Sequence, residues 1–176
     1  MTALVAPDPS RWREWAAMLE DFGGVDEMHG SGHWFLDGDP EPTEAGCATF
    51  VEVLRAMAPA AADGSRVAST FYWIAEGDGV PGEELVGFLN TRHELNEFLL
   101  EQGGHIGYSV RPSRRGEGHA GRALDRALTE AAVLGLRRVL VTCDDDNEPS
   151  ARTIERNGGV LEDVRGDKRR YWISVG

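Results

Sequence analysis

Basic residues are scarce in this chain. Its 18 lysines and arginines face 30 aspartates and glutamates, a formal net charge of -12 over 176 residues. Such a surface repels nucleic acid and anionic lipid, so neither is expected as a partner, and it weakly favours cationic small molecules. Cysteine is rarer still. Cys47 and Cys143 stand far apart without metal-ligand spacing, which excludes a disulfide framework and a zinc ribbon and leaves two isolated buried thiols. His29 and His33 sit in a glycine-rich loop with no third ligand in view, so no metal is expected. No run approaches the ~20 consecutive apolar residues of a membrane span. Met1 to Trp15 carries Pro, Asp, Arg and Glu where a signal peptide needs an apolar core, and a cytoplasmic protein is expected.

What is present suffices for one core, at 41% hydrophobic residues, and one domain over 1–176 is expected. Its part before about residue 66 reads as helical. Asp8-Pro9-Ser10 ahead of Trp12, Trp15, Ala16 and Leu19 reads as a capped helix ending near Gly23-Gly24, and Thr43 to Met57 as a second. Strands follow at Ser69 to Ala75, Leu85 to Thr91 and His105 to Val110, with a short helical stretch around Leu95 to Leu100. From Gly118 the apolar positions Ala120, Ala123, Leu124, Ala127, Leu128, Ala131 and Leu134 recur at helical spacing until Gly135. Arg138 to Cys143 reads as a strand and Glu148 to Asn157 as a helix. Val160 to Val164 and Arg170 to Val175 flank the turn Arg165-Gly166-Asp167-Lys168 as a hairpin. A meander followed by alternating strands and helices predicts an α/β fold, one mixed central sheet with helices on both faces.

The chemistry concentrates where the strand ending at Val110 runs through Arg111-Pro112-Ser113-Arg114 into Arg115-Gly116-Glu117-Gly118-His119-Ala120-Gly121 and the long helix. The first amides of a helix have no partner inside it, the macrodipole places about half a positive charge there, and glycines let phosphate approach the main chain. Arg111, Arg114, Arg115 and Arg122 add positive charge at this one place in an acidic protein. Gly116 to Gly121 also fits G-x-G-x-x-G literally, with Asp144 after the next strand as a ribose-binding acid would stand, so a nicotinamide dinucleotide enzyme is one reading. Against it, five residues separate strand from glycines and little chain follows. The Walker pattern fails because no Lys-Ser or Lys-Thr follows either glycine.

These residues resemble the GNAT superfamily of N-acetyltransferases, whose acetyl-CoA loop reads Arg/Gln-x-x-Gly-x-Gly/Ala, filled here by Arg115 to Ala120. Asn147, Ser150 and Ile154 to Gly159 look like the family's segment after its fifth strand. Arg92 to Asn96, Gly103 to Tyr108 and Ile154 to Gly159 are similar to one bacterial branch of it. The likeness is strong over Gly104 to Leu161 and weak before Val67. It implies a mostly antiparallel sheet whose two adjacent parallel strands, His105 to Val110 and Arg138 to Cys143, splay apart around a pantetheine arm. It implies acetyl-CoA as co-substrate, a cofactor-binding core from about residue 67, and a primary amine of a small molecule or peptide as acceptor. A homodimer is possible. The charge cluster and this likeness together give Ser109, Val110, Arg111, Arg114, Arg115, Gly116, Glu117, Gly118, His119, Ala120, Gly121, Arg122, Asn147 and Ser150 as the residues expected to hold the coenzyme.

An amine attacks a thioester only when neutral, so the site needs a base, an oxyanion donor and a means of handling the thiolate. The resemblance points to the backbone N–H of Val110 or its neighbour as oxyanion donor. Where the family often has a tyrosine acid this chain has Ile154, which leaves water or Ser150 to protonate the thiolate and keeps a non-catalytic acyl-CoA-binding module as an alternative. His93, Glu94, His105 and Tyr108 are rival bases; His105 and Ser109 share one strand face and Tyr108 takes the other. Trp12, Trp15 and Trp34 either pack as core or line an acceptor pocket.

Overall fold

The computed structural model describes residues 1–175. Seven strands form one sheet: β1 (Thr2–Val5), β2 (Ser69–Glu76), β3 (Leu85–Arg92), β4 (Ile106–Val110), β5 (Arg138–Asp144), β6 (Val160–Arg165) and β7 (Lys168–Ser174), in the order β1-β2-β3-β4-β5-β7-β6. Every pairing is antiparallel except β4 with β5. This is the mixed, mostly antiparallel sheet expected. A single parallel pair leaves no doubly wound sheet to carry a dinucleotide, so the nicotinamide reading of the glycines fails on topology.

Helices α1 (Trp12–Phe22) and α2 (Glu44–Met57) cover one face, and α3 (His119–Val133) and α4 (Glu148–Arg156) the other. The first layer buries Trp15, Met18, Phe50 and Leu54 against Phe71, Trp73 and Phe88. The second buries Ala123, Leu124, Ala127 and Ile154 against Ile74, Leu89, Ile106 and Val141. The alternation of β2 and β3 feeds both layers, as period two requires. The alanine stripe of α3 lets that helix lie close to the sheet.

Local signals act where they stand. Asp8 Oδ1 accepts from the Ser10 amide ahead of α1, Gly23 ends α1 at φ 69, and Thr43 Oγ1 accepts from the Gly46 amide to cap α2. The hairpin turns at Gly166, φ 60. The sequence reading differs from the structure at three places. Thr2–Val5 pairs with β2 as an edge strand, too short to read as one in isolation. The helical stretch near Leu95 closes as a π-helical turn at Leu99–Gly103. His105 lies just outside β4, its N–H bonded to the Leu140 carbonyl. No described helix is long and apolar enough to cross a membrane.

Candidate active site

From Val110 the chain makes one 3-10 turn, Pro112–Arg114, and bends through Gly116 (φ 81) and Gly118 (φ 80) into α3. Gly118 is the N-cap and no side chain caps the helix. By contrast, Thr43 caps α2, and the Asn147 Oδ1 accepts from the Ser150 amide at 3.1 Å to cap α4. The Arg122 amide is the first to bond back, to the Gly118 carbonyl at 3.2 Å, so the amides of His119, Ala120 and Gly121 stand ahead of the helical ladder. A Cβ at Gly116 would meet nothing within 4 Å, and one at Gly121 only Asn157 Nδ2 at 3.8 Å. The space beside Gly116 and Gly121 is open, the Arg122 guanidinium lies against Gly118, and the positive end of a four-turn dipole stands there, which fits a diphosphate.

The arginines are placed differently from the expectation. Arg111 donates to Asp21 at 2.6 Å and Glu84 at 2.9 Å. Arg114 bonds Glu76 and Glu117 at 2.9 Å each, and also Glu84. Hydrogen bonds to Glu117 and Glu76 raise the Arg114 pKa. With side chains 12% and 17% exposed, both guanidinium groups need these partners and tie the loop to α1, β2 and β3. Arg122 donates to Thr2 Oγ1 at 2.8 Å and to the Glu117 carbonyl at 3.0 Å. Arg115 stands apart: it is 47% exposed, donates to the Val110 carbonyl at 2.9 Å, and pairs with Glu27, itself 60% exposed. Such an exposed pair is weak and screened by solvent, so an anion can displace it. The His119 ring is buried with Nδ1 3.0 Å from Thr2 Oγ1, and burial lowers its pKa, so only its amide faces the mouth of α3. Glu117 spends its carboxylate on Arg114.

Beyond this loop β4 and β5 part. They register at the single pair Ile106↔Val141, whereas β3 holds β4 from Gly87 to Thr91. The Arg111 amide bonds Val86 and the Arg92 amide bonds His105, which turns the odd-numbered amides of β4 to β3 and those of Tyr108 and Val110 towards the gap. The gap is a cleft of about 190 Å³ between Ile106, Gly107 and Tyr108 of β4 and Thr142, Cys143 and Asp144 of β5. Asn147 and Ser150 close one side and His29, Gly30 and Trp34 the other. Gly30, at φ 78, rests on the Gly107 carbonyl so closely that a Cβ there would collide with it.

The Tyr108 hydroxyl lies 2.9 Å from Ser150 Oγ. Burial pushes the phenol up to about 12, partly offset by that hydrogen bond, so Tyr108 is protonated at neutral pH and is no base. Cys143 in the same wall is pushed up to about 11 by burial, which removes it as a nucleophile. His105 is no base either. Its Nδ1 accepts from the Leu140 amide at 2.9 Å, and burial, with Arg92 nearby, lowers its pKa to about 4. His93 Nε2 is 2.8 Å from Thr70 Oγ1, and Glu94 is exposed; neither lines the cleft. Ser109 Oγ donates to the His29 carbonyl at 2.7 Å and points away from the gap, while Val110 lies beyond the cleft towards the loop.

His29 and Trp34 line the cleft, as does Arg92; Trp34 was expected either in the core or in an acceptor pocket, and neither His29 nor Arg92 was assigned to the site. The signal for the first two was the glycine run Gly30-Ser31-Gly32, which lets a loop lie flat on β4. Of the tryptophans, Trp15 is core and Trp34 lines the cleft.

A family model described as an acetyltransferase (GNAT) domain matches residues 8–160. That match extends far N-terminal to the segment where the likeness was strong. No curated protein matches the chain. Among solved structures, Mycobacterium smegmatis RimJ in complex with CoA-disulfide aligns at 20% identity and TM-score 0.67, covering 98% of this chain and 81% of that one. RimL, a ribosomal L7/L12 alpha-N-protein acetyltransferase in complex with coenzyme A, aligns at 20% identity and TM-score 0.63, covering 99% and 94%. The microcin C7 self-immunity acetyltransferase MccE, in complex with acetyl-CoA and AMP, aligns at 15% identity and TM-score 0.64, covering 99% and 92%. At these identities the structural likeness speaks for the fold.

Proposed function

The chain belongs to the GNAT acetyltransferase family, and on that footing we propose that it moves the acetyl group of acetyl-CoA to a primary amine by direct attack in a ternary complex. The observation that carries this reading is the uncapped N-terminus of α3, reached by one short loop from β4, the strand that pairs with β5 at a single position. RimL, named for alpha-N-acetylation of a ribosomal protein, and MccE, solved with acetyl-CoA, support the choice of amine and coenzyme.

In this reading the amides of His119 to Gly121 hold the diphosphate, and Arg115 exchanges Glu27 for a phosphate oxygen. The Val110 amide holds the pantetheine arm and the Tyr108 amide, inside the cleft, donates to the oxyanion. A simple thiol has a pKa near ~8.5, far below that of the Tyr108 phenol. The Tyr108–Ser150 pair therefore donates a hydrogen bond to the departing sulfur and keeps its own proton. The proton that sulfur finally takes comes from the attacking nitrogen, which turns strongly acidic once acylated. His29, the histidine lining the cleft, receives it on the way.

Calorimetry with acetyl-CoA and release of free CoA across an amine panel test the proposal. Tight binding with silence across a broad panel would favour the non-catalytic module instead.

A further inference from the structure

A larger cavity, about 580 Å³, adjoins the cleft and shares three lining residues with it, Trp34, Arg92 and Gly103. Phe35, Phe71, Phe98 and Leu99 give it an apolar wall. Among the described residues no aspartate or glutamate lines it, yet two arginines, Arg66 and Arg92, do. A cationic, aromatic chamber in a chain of net charge -12 runs against the composition, which on its own favours cationic ligands.

Arg92 is placed to meet an anion. Its Nη1 donates to the Gly103 and Gly104 carbonyls at 3.0 and 3.2 Å, and no carboxylate pairs with it among the described residues. Burial alone lowers its pKa, to about 10, and no neighbouring acid offsets that cost. A guanidinium left in this state gains from any carboxylate that reaches it. Two residues back on the same face of β3, Asn90 is 1% exposed and its Oδ1 has no hydrogen-bond partner. Asn90 lines the cavity, but that oxygen is shut off from it against Gly107, so the residue shapes the wall without offering the ligand this acceptor. Arg66 is held by the Met57 and Pro59 carbonyls with its guanidinium 5.9 Å from the Phe35 ring centre, which keeps a second positive charge over the aromatic wall.

Resting on the acetyl-transfer reading above, we propose that this cavity is the acceptor site and takes a free α-amino acid with an apolar, preferably aromatic, side chain. Arg92 binds the carboxylate, and the side chain lies between Trp34, Phe35 and Phe71. Because Arg92 belongs to both cavities, the anion sits at their junction, and the amine must lie within one carbon of it to reach the thioester. A peptide α-amine has an uncharged amide there, and a polyamine brings like charge to two arginines. In the reaction the amine nitrogen bonds the acetyl carbon, the carbon–sulfur bond breaks with its electron pair on sulfur, and the nitrogen's proton passes to the thiolate. The products are an N-acetyl amino acid and free CoA.

The test begins with calorimetry of acetyl-CoA on the full chain, then compares transfer to L-phenylalanine, L-phenylalaninamide and spermidine. Phenylalanine should exceed the amide in kcat/KM by at least ~10-fold, the worth of one charge-assisted pair. Arg92→Gln should erase that preference and Arg92→Lys restore part of it. Arg92 also secures Gly103 and Gly104, so each variant's melting is recorded, and the wild-type comparison of acid with amide stands without any variant. Turnover of the amide or of spermidine at or above that of the acid, or no transfer to phenylalanine with coenzyme bound, overturns the acceptor assignment and leaves the transfer reading intact. Failure of acetyl-CoA to bind overturns both.

Discussion

Gly118 caps α3 in the left-handed conformation, and a valine there changes two quantities that can be measured apart. The first is stability. An L-residue at φ 80 costs ~1–2 kcal/mol, and the new Cβ would stand 2.8 Å from Arg122 Nη1, the far end of a long side chain that must shift from its bonds to Thr2 and Glu117. For a chain of this size that corresponds to a melting point lower by roughly 2–8 °C. The second is affinity. The valine methyl groups stand over the amides of His119 to Gly121, and losing one hydrogen bond to a charged phosphate costs ~1.5–3 kcal/mol, so the acetyl-CoA dissociation constant rises by at least ~10-fold. Gly135 supplies the matched control. It sits past the other end of α3 at φ 85 with nothing within 4 Å of its Cβ position. Gly135→Val should therefore melt earlier to a similar degree and bind acetyl-CoA as the wild type does. Isothermal titration on both variants, with melting curves on the same samples, makes the comparison. Wild-type affinity in Gly118→Val, or an equal loss in both variants, would refute the assignment of the diphosphate to the mouth of α3.

Three further outcomes follow from the same geometry. Arg115→Gln should weaken acetyl-CoA binding several-fold and flatten its salt dependence, whereas Arg114→Gln should lower the melting point and leave affinity nearly unchanged, because Arg114 is committed to Glu76, Glu84 and Glu117. The reverse pattern in calorimetry would contradict this division. Tyr108→Phe keeps the ring and removes the hydroxyl facing Ser150, so kcat should fall by at least ~10-fold with the KM for acetyl-CoA within ~2-fold; an unchanged kcat removes the pair from the chemistry. His105 has its pKa lowered from 6.5 to about 4 in the folded chain. The unfolded chain therefore binds more protons between those values, and the stability due to the neutral ring is complete above pH 6.5 and lost as pH falls towards 4. That contribution is at most roughly 3 kcal/mol. Denaturant titrations at stepped pH should show this acid-side loss shrinking in His105→Asn, while transfer at pH 8 stays within ~3-fold; a collapse of transfer in a folded variant would return His105 to the list of bases.

Much of the candidate site was legible because its parts are contiguous. Arg111 to Gly121 announces a strand end, a glycine bend and a helix start within eleven neighbouring positions, and its backbone follows from local rules. What misled was charge. Four arginines in one stretch read as an anion site, yet three are engaged by Asp21, Glu76, Glu84 and Glu117 or by Thr2, partners 3 to 120 positions away. His105, taken as a candidate base on residue type, became an acceptor for a backbone amide once β5 lay beside it.

The sequence by itself determined the periodic and capped elements: α2 from Thr43, α3 from its alanine stripe, the hairpin from Gly166, and the open mouth of α3 from Gly118. Each depends on torsion angles and side-chain spacing within a few residues. Only the tertiary structure decided which groups keep their charge, which face a cavity and which meet. Burial and pairing are set by atoms brought together from distant segments, as Tyr108 meets Ser150 and as Arg92 and Asn90 come to face the loop carrying Trp34.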